Sequence, residues 1–95
     1  MRLEKEQAEF ITGTIRELDP QARVFLFGSR VSDKARGGDI DLLVLSSALK
    51  YHHKLLIRSR LREGLGNRKI DLIITESPQT AFEKSALANS IQISS

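Results

Sequence analysis

Apolar residues recur along this chain with two different periods, and the switches between them predict its elements. Leu3, Phe10, Ile11, Ile15 and Leu18 stand at near-helical spacing with charged residues between them, which predicts an amphipathic helix over 3–18. Asp19-Pro20 ends it, because proline disfavours helical geometry in the residue before it. Val24-Phe25-Leu26-Phe27 is a continuous apolar run followed by Gly28, the pattern of a short buried strand. Residues 29–35 suit one or two turns of helix, and Arg36-Gly37-Gly38 a flexible connector. Over 39–45 the period becomes two: Ile40, Leu42 and Val44 share one face of a second strand, and Asp39, Asp41, Leu43 and Leu45 the other.

Ser46 and Ser47 are N-cap candidates for a helix over 48–63. Its apolar side is Leu49, Leu56, Ile57 and Leu61, with Tyr51 at the margin, and Gly64 or Gly66 closes it. Residues 69–75, KIDLIIT, repeat the grammar of the second strand, with Ile70, Leu72 and Ile74 inward and Asp71 and Ile73 opposite. Ser77-Pro78 marks a cap and first helical position, so a last helix is expected over 78–88. Ile91-Gln92-Ile93 fits either a short terminal strand or a frayed tail. The order α-β-α-β-α-β-α argues for an α/β (α+β) domain, a sheet with helices packed against it.

Composition narrows this to one domain over 1–95, too small for a separate substrate domain and expected to gain stability from a partner. The chain has no cysteine, which excludes disulfides and thiolate metal sites. The N-terminus lacks a signal-type apolar segment, and no window approaches the roughly 18 apolar residues of a membrane span, so a cytoplasmic protein is expected. The net charge of +3 is unevenly spread. Lys50, Lys54, Arg58, Arg60, Arg62, Arg68 and Lys69 cluster with His52 and His53, against Glu63 alone. That cluster reads as a solvated helix face first, then as a docking surface for an acidic partner, then as an RNA surface. Tyr51 is its only aromatic, which gives base stacking little support. On a helix the adjacent histidines diverge by about 100° and cannot comfortably share a metal, so they read as surface residues.

The carboxylates carry the chemistry. Asp39 and Asp41, two residues apart on a strand, project from one face with α-carbons roughly 6.6 Å apart. At about 5 Å and an effective dielectric near 20, two such charges repel by about 3 kcal/mol. A divalent cation turns that repulsion into a binding site, and magnesium typically takes one or two carboxylates plus substrate phosphates. Asp-x-Asp alone also fits a solvated strand end. Asp71, at the same phase of a second strand of near-identical pattern, changes the weighing. If the strands are neighbours, three acids share a face, the arrangement that two-metal phosphoryl or nucleotidyl transfer needs. Gly28 after a buried strand lets backbone approach a phosphate, the Ser29 hydroxyl adds a donor, and Arg30 can pair with phosphate bidentately.

Phe27-Gly28-Ser29, then Asp39-x-Asp41 in a strand, then Asp71 in a later strand, resembles the signature of the polymerase-beta-like nucleotidyltransferase superfamily. The short length and the LFGSR opening are most similar to the minimal nucleotidyltransferases, the MNT group. Nine residues separate Ser29 from Asp39, where antitoxin members usually have ten. The resemblance implies a small mixed sheet with the first two strands antiparallel. It implies that Asp39 and Asp41 bind magnesium, with Asp71 completing a catalytic set for two Mg2+ ions and helping to activate the attacking hydroxyl. Gly28, Ser29 and Arg30 would hold a nucleoside triphosphate, ATP by preference. Many minimal members resemble antitoxins paired with an all-helical HEPN toxin, some of which move AMP onto a toxin tyrosine. The implied function is therefore Mg-dependent transfer of a nucleoside monophosphate to a hydroxyl on a partner protein. Two alternatives stand beside it: a non-catalytic antitoxin or adaptor that works by covering its partner, and RNA binding or tailing through the basic helix.

Overall fold

In the computed structural model, residues 4–27, 39–66 and 69–94 are described. The first helix, α1, spans Lys5–Leu18. Gln7 Oε1 reaches back to accept the Glu4 backbone N–H at 3.0 Å, the return half of a capping box. The helix stops at Asp19, whose N–H still bonds the Ile15 carbonyl. The Asp19 carboxylate accepts from the Gln21 N–H at 3.0 Å and turns the chain into β1, Arg23–Leu26. There follow β2 (Asp39–Leu45), α2 (Tyr51–Leu65), β3 (Lys69–Thr75), α3 (Ala81–Ala88) and β4 (Ile91–Gln92). The short helix expected over 29–35, the connector after it and Leu3 lie outside the described residues.

The sheet has strand order β3-β2-β1-β4. β1 runs antiparallel to both β2 and β4, while β2 and β3 are parallel, so the sheet is mixed. A parallel pair cannot be closed by a hairpin, and α2 supplies the crossover. The terminal residues resolve into a strand. Ile93 N–H bonds the Val24 carbonyl at 2.9 Å, and Val24 N–H donates to Ser94 Oγ at 3.0 Å.

Strand alternation decides what each face carries. Val24, Leu26, Ile40, Leu42, Val44, Ile70 and Leu72 meet Ile11 and Ile15 of α1 and Ile57 and Leu61 of α2. Each fully buried side chain of this kind contributes about 1.5–3 kcal/mol relative to exposure, so this face supplies most of the core. Phe10, though 39% exposed, lies over α2 at Gly64, where a β-carbon would collide with its ring. Gly66, at φ +86°, closes α2 in a backbone conformation that glycine alone adopts cheaply. Among the described residues no helix is long and apolar enough to cross a membrane.

Three helix details differ from expectation. α2 begins at Tyr51 with Lys50 as N-cap, and His53 Nδ1 accepts the Lys50 N–H at 2.8 Å. His53, at the surface as expected, also serves as a cap. Ser46 caps the turn before the helix instead: its oxygen accepts from Ala48 and Leu49 N–H, its hydroxyl donates to Asp19 Oδ2 at 2.5 Å, and its own N–H bonds the Thr75 carbonyl. α3 begins at Ala81, three residues later than the Ser77-Pro78 signal. The Thr80 hydroxyl accepts the Glu83 N–H at 3.0 Å and Glu83 Oε1 accepts from Gln79 and Thr80, a reciprocal cap that outcompetes the proline. On α2, Leu56 is 39% and Tyr51 72% exposed, since the inward stripe needs only Ile57 and Leu61, one turn apart.

Ser46 and Asp19 are both buried, so their bond is a stability test. Ser46→Ala should lower the unfolding free energy by about 1–3 kcal/mol, because a buried carboxylate oxygen loses its donor. Urea denaturation measures it, and an unchanged midpoint would mean that water replaces the hydroxyl.

Candidate active site

The face of the sheet turned away from α1 and α2 carries the acids. Its apolar part is Phe25, Phe27, Leu43, Leu45 and Ile73, covered by Ala86 and Leu87 of α3. β2 and β3 lie side by side with Asp41 opposite Asp71 and Leu43 opposite Ile73. Neighbouring strands are about 4.8 Å apart, so the two carboxylates issue from adjacent α-carbons in the same direction. Asp41 is half-buried and Asp71 exposed.

β1 extends this row. The β1–β2 pairing runs to Leu26↔Leu42, and the next residue, Phe27, donates its N–H to the Asp41 carbonyl at 3.0 Å. Phe27, Asp41 and Asp71 therefore stand abreast across three strands on one face. Phe27 immediately precedes Gly28 in sequence, while Gly28, Ser29 and Arg30, the expected phosphate-binding residues, lie outside the described residues. Asp39 occupies the first position of β2, in register with Lys69. Its side chain is not described, and among the described residues no group of three acids or histidines could hold a metal ion. The structure thus brings Asp41 and Asp71 together and places the backbone of Asp39 on the same strand phase.

Two carboxylates directly opposite in a parallel ladder repel by about 3 kcal/mol at an effective dielectric near 20. Hard oxygen donors on a sheet face that is otherwise apolar suit a divalent cation and a phosphorylated ligand. A groove of about 440 Å³ along α2, lined by Leu55, Arg58, Ser59, Arg62 and Glu63, belongs to the helical side of the sheet and not to this site. The basic helix is accordingly separate from the acids, and Arg60 is already paired with Glu17 of α1 at 2.8 Å. Sequence reading missed the position of α3. Phe82 in its first turn packs edge-on against Phe27, with ring centroids 6.0 Å apart and planes at 81°. No periodicity in an eight-residue helix shows which side of the sheet it will cover.

The family model described as Polymerase beta, Nucleotidyltransferase matches residues 9–95. No curated protein matches the chain significantly. Among solved structures it is similar to a chain of a toxin–antitoxin crystal structure with AMP-PNP, at 23% identity and TM-score 0.76, over 97% of this chain and 73% of that one. It is similar to a chain of the toxin–antitoxin MntA-HepT at 20% identity and TM-score 0.72, over 96% and 72% of the two chains. A third likeness, at 21% identity and TM-score 0.74, covers 97% of this chain and 72% of its counterpart. That counterpart is in a complex of the tri-AMPylated Shewanella oneidensis HEPN toxin with MNT antitoxin. At these identities the likeness shows the shared fold.

Proposed function

Because this chain belongs to the polymerase beta nucleotidyltransferase family, and is by kind a nucleotidyltransferase, we propose that it moves AMP from ATP onto a hydroxyl of a partner protein. The observation that carries this is the in-register pair Asp41 and Asp71 on the sheet face turned away from α1 and α2. Asp39, Asp41 and Asp71 are the residues that would hold magnesium, two ions in the full site, because paired carboxylates plus triphosphate oxygens match its preference for hard oxygen donors. When bound, the metal supplies charge neutralisation at the entering and leaving oxygens. Gly28, Ser29 and Arg30 bind the triphosphate, with Arg30 neutralising its charge.

In the transfer, the acceptor hydroxyl gives its proton to the Asp71 carboxylate as its oxygen bonds to the α-phosphorus. The bond from that phosphorus to the bridging oxygen of the β-phosphate breaks, and pyrophosphate leaves with the electron pair. Asp71 suits the base role because it is the more exposed of the pair and can face an incoming acceptor.

The acceptor in this reading is a second protein, in keeping with the toxin–antitoxin complexes in which the similar folds occur. A helical HEPN-type toxin fits, given the complexes that the similar folds come from. Use of ATP places this work in the cytoplasm. Incubating the protein with α-labelled ATP, magnesium and the product of the neighbouring gene should label that product. Neutralisation of the product by the unaltered protein without any label would favour a covering adaptor and defeat the catalytic reading.

A further inference from the structure

We propose that the outer side of α2 is the docking surface for one acidic, amphipathic helix of the partner protein. The inference rests on the partner reading above and deepens it, giving that partner a surface and a chemistry. α2 carries large apolar residues on two sides. Ile57 and Leu61 are buried in the core, while Tyr51 and Leu55 are 72% and 47% exposed. A helix that served the core alone would be polar on its other side. Tyr51, Leu55, Arg58 and Arg62 follow one another at intervals of four, three and four residues. That spacing sets them in one seam along the helix, the form against which a second helix packs. The seam is turned away from α1, to which α2 presents Gly64 beneath Phe10 and Arg60 paired with Glu17. Leu55, Arg58, Ser59, Arg62 and Glu63 line a groove of about 440 Å³ along it.

Charge decides what fills the groove. Arg60 has its carboxylate in Glu17, whereas among the described residues Arg58 and Arg62 have none. Arg58 Nε is buried without an acceptor, a donor already stripped of water and left unpaired. Such a group is unfavourable until an acceptor arrives, and a carboxylate is the strongest that a protein offers. The seam is also polarised along its length, apolar at Tyr51 and Leu55 and cationic at Arg58 and Arg62. The helix that complements it sets apolar side chains against the first half and Asp or Glu against the second. Tyrosine and arginine at the centre of one patch are the residues on which protein interfaces concentrate their affinity. A nucleic-acid backbone would meet the arginines and leave Leu55 uncovered. A second copy of α2 would double the arginines against Glu63 alone.

Titration calorimetry of the neighbouring gene's product into this protein tests the surface. The unaltered protein should bind with an affinity that falls as salt rises. Arg58→Glu with Arg62→Glu should weaken binding about a hundredfold, and Arg58→Gln with Arg62→Gln should weaken it less and flatten the salt dependence. Leu55→Ser should weaken it about tenfold and leave the salt dependence as it was. These variants should keep the unaltered urea midpoint. Asp41→Asn should dock normally, so that docking and transfer are read separately. The proposal is overturned if the doubly reversed variant, folded by its urea midpoint, binds the product as the unaltered protein does. If that variant keeps the product but loses a labelled single-stranded RNA, the seam belongs to nucleic acid. If it keeps the product but turns a dimer into a monomer in sedimentation, the seam belongs to a second copy. Either result overturns the proposal. If the unaltered protein does not bind the product, the partner reading falls first and this inference with it.

Discussion

Asp41→Asn should lower nucleotide transfer by about a thousandfold, a loss of about 4 kcal/mol in transition-state stabilisation, while the protein stays folded. The side chain keeps its shape and loses its charge. The strand contact at this position is made by the backbone: the Asp41 carbonyl accepts from Phe27 N–H whatever the side chain is. What disappears is one of two in-register carboxylates on which a divalent cation would bridge strands β2 and β3. Asp71→Asn should be comparably inactive, and the double variant little worse than either, because groups that act as a unit are not additive. Label transfer from ATP gives the rate, and a urea midpoint gives the fold control. Transfer at the unaltered rate by Asp41→Asn would remove the acids from the mechanism.

Ile40→Ala should destabilise the fold by about 2–5 kcal/mol, a large share of the 5–15 kcal/mol that holds a domain together. Ile40 is 0% exposed, pairs with Ile70, and belongs to the cluster that joins the sheet to α1 and α2. It also directly precedes Asp41, so its burial on one face is what turns Asp41 to the other. A one-residue slip of β2 would bury Asp41 and expose Ile40, Leu42 and Val44, which the core forbids. Leu56→Ala, at a position 39% exposed on α2, should change stability by no more than about 0.5 kcal/mol. Urea unfolding of the two variants tests whether the core stripe is drawn correctly. Equal losses would show that it is not.

The strands, their faces and the acid phase were legible because alternation is local. Each inward Ile, Leu or Val dictates where its neighbour points, whichever strand lies beside it. Asp41 and Asp71 could thus be assigned to equivalent faces from residues 39–45 and 69–75 alone. The ends of helices were read less well, because a cap is a competition. The Ser46 oxygen does accept the Ala48 and Leu49 N–H groups while its hydroxyl donates to the buried Asp19, twenty-seven residues earlier, yet the helix starts only at Tyr51. At α3, Thr80 with Glu83 prevails over Ser77-Pro78, since a reciprocal pair satisfies more free N–H groups than a proline can.

By itself, then, the chain determined the types of its described helices and its first three strands and the inward stripes of those strands, all of them short-range properties of residue order. Tertiary structure alone decided that β2 and β3 are parallel neighbours with Asp41 level with Asp71, and that β1 brings Phe27 into the same row. It also decided that α3 lies on the acid-bearing face with Phe82 against Phe27. These are pairings between segments far apart in sequence, fixed by which apolar surfaces can be buried together, and no local pattern encodes them.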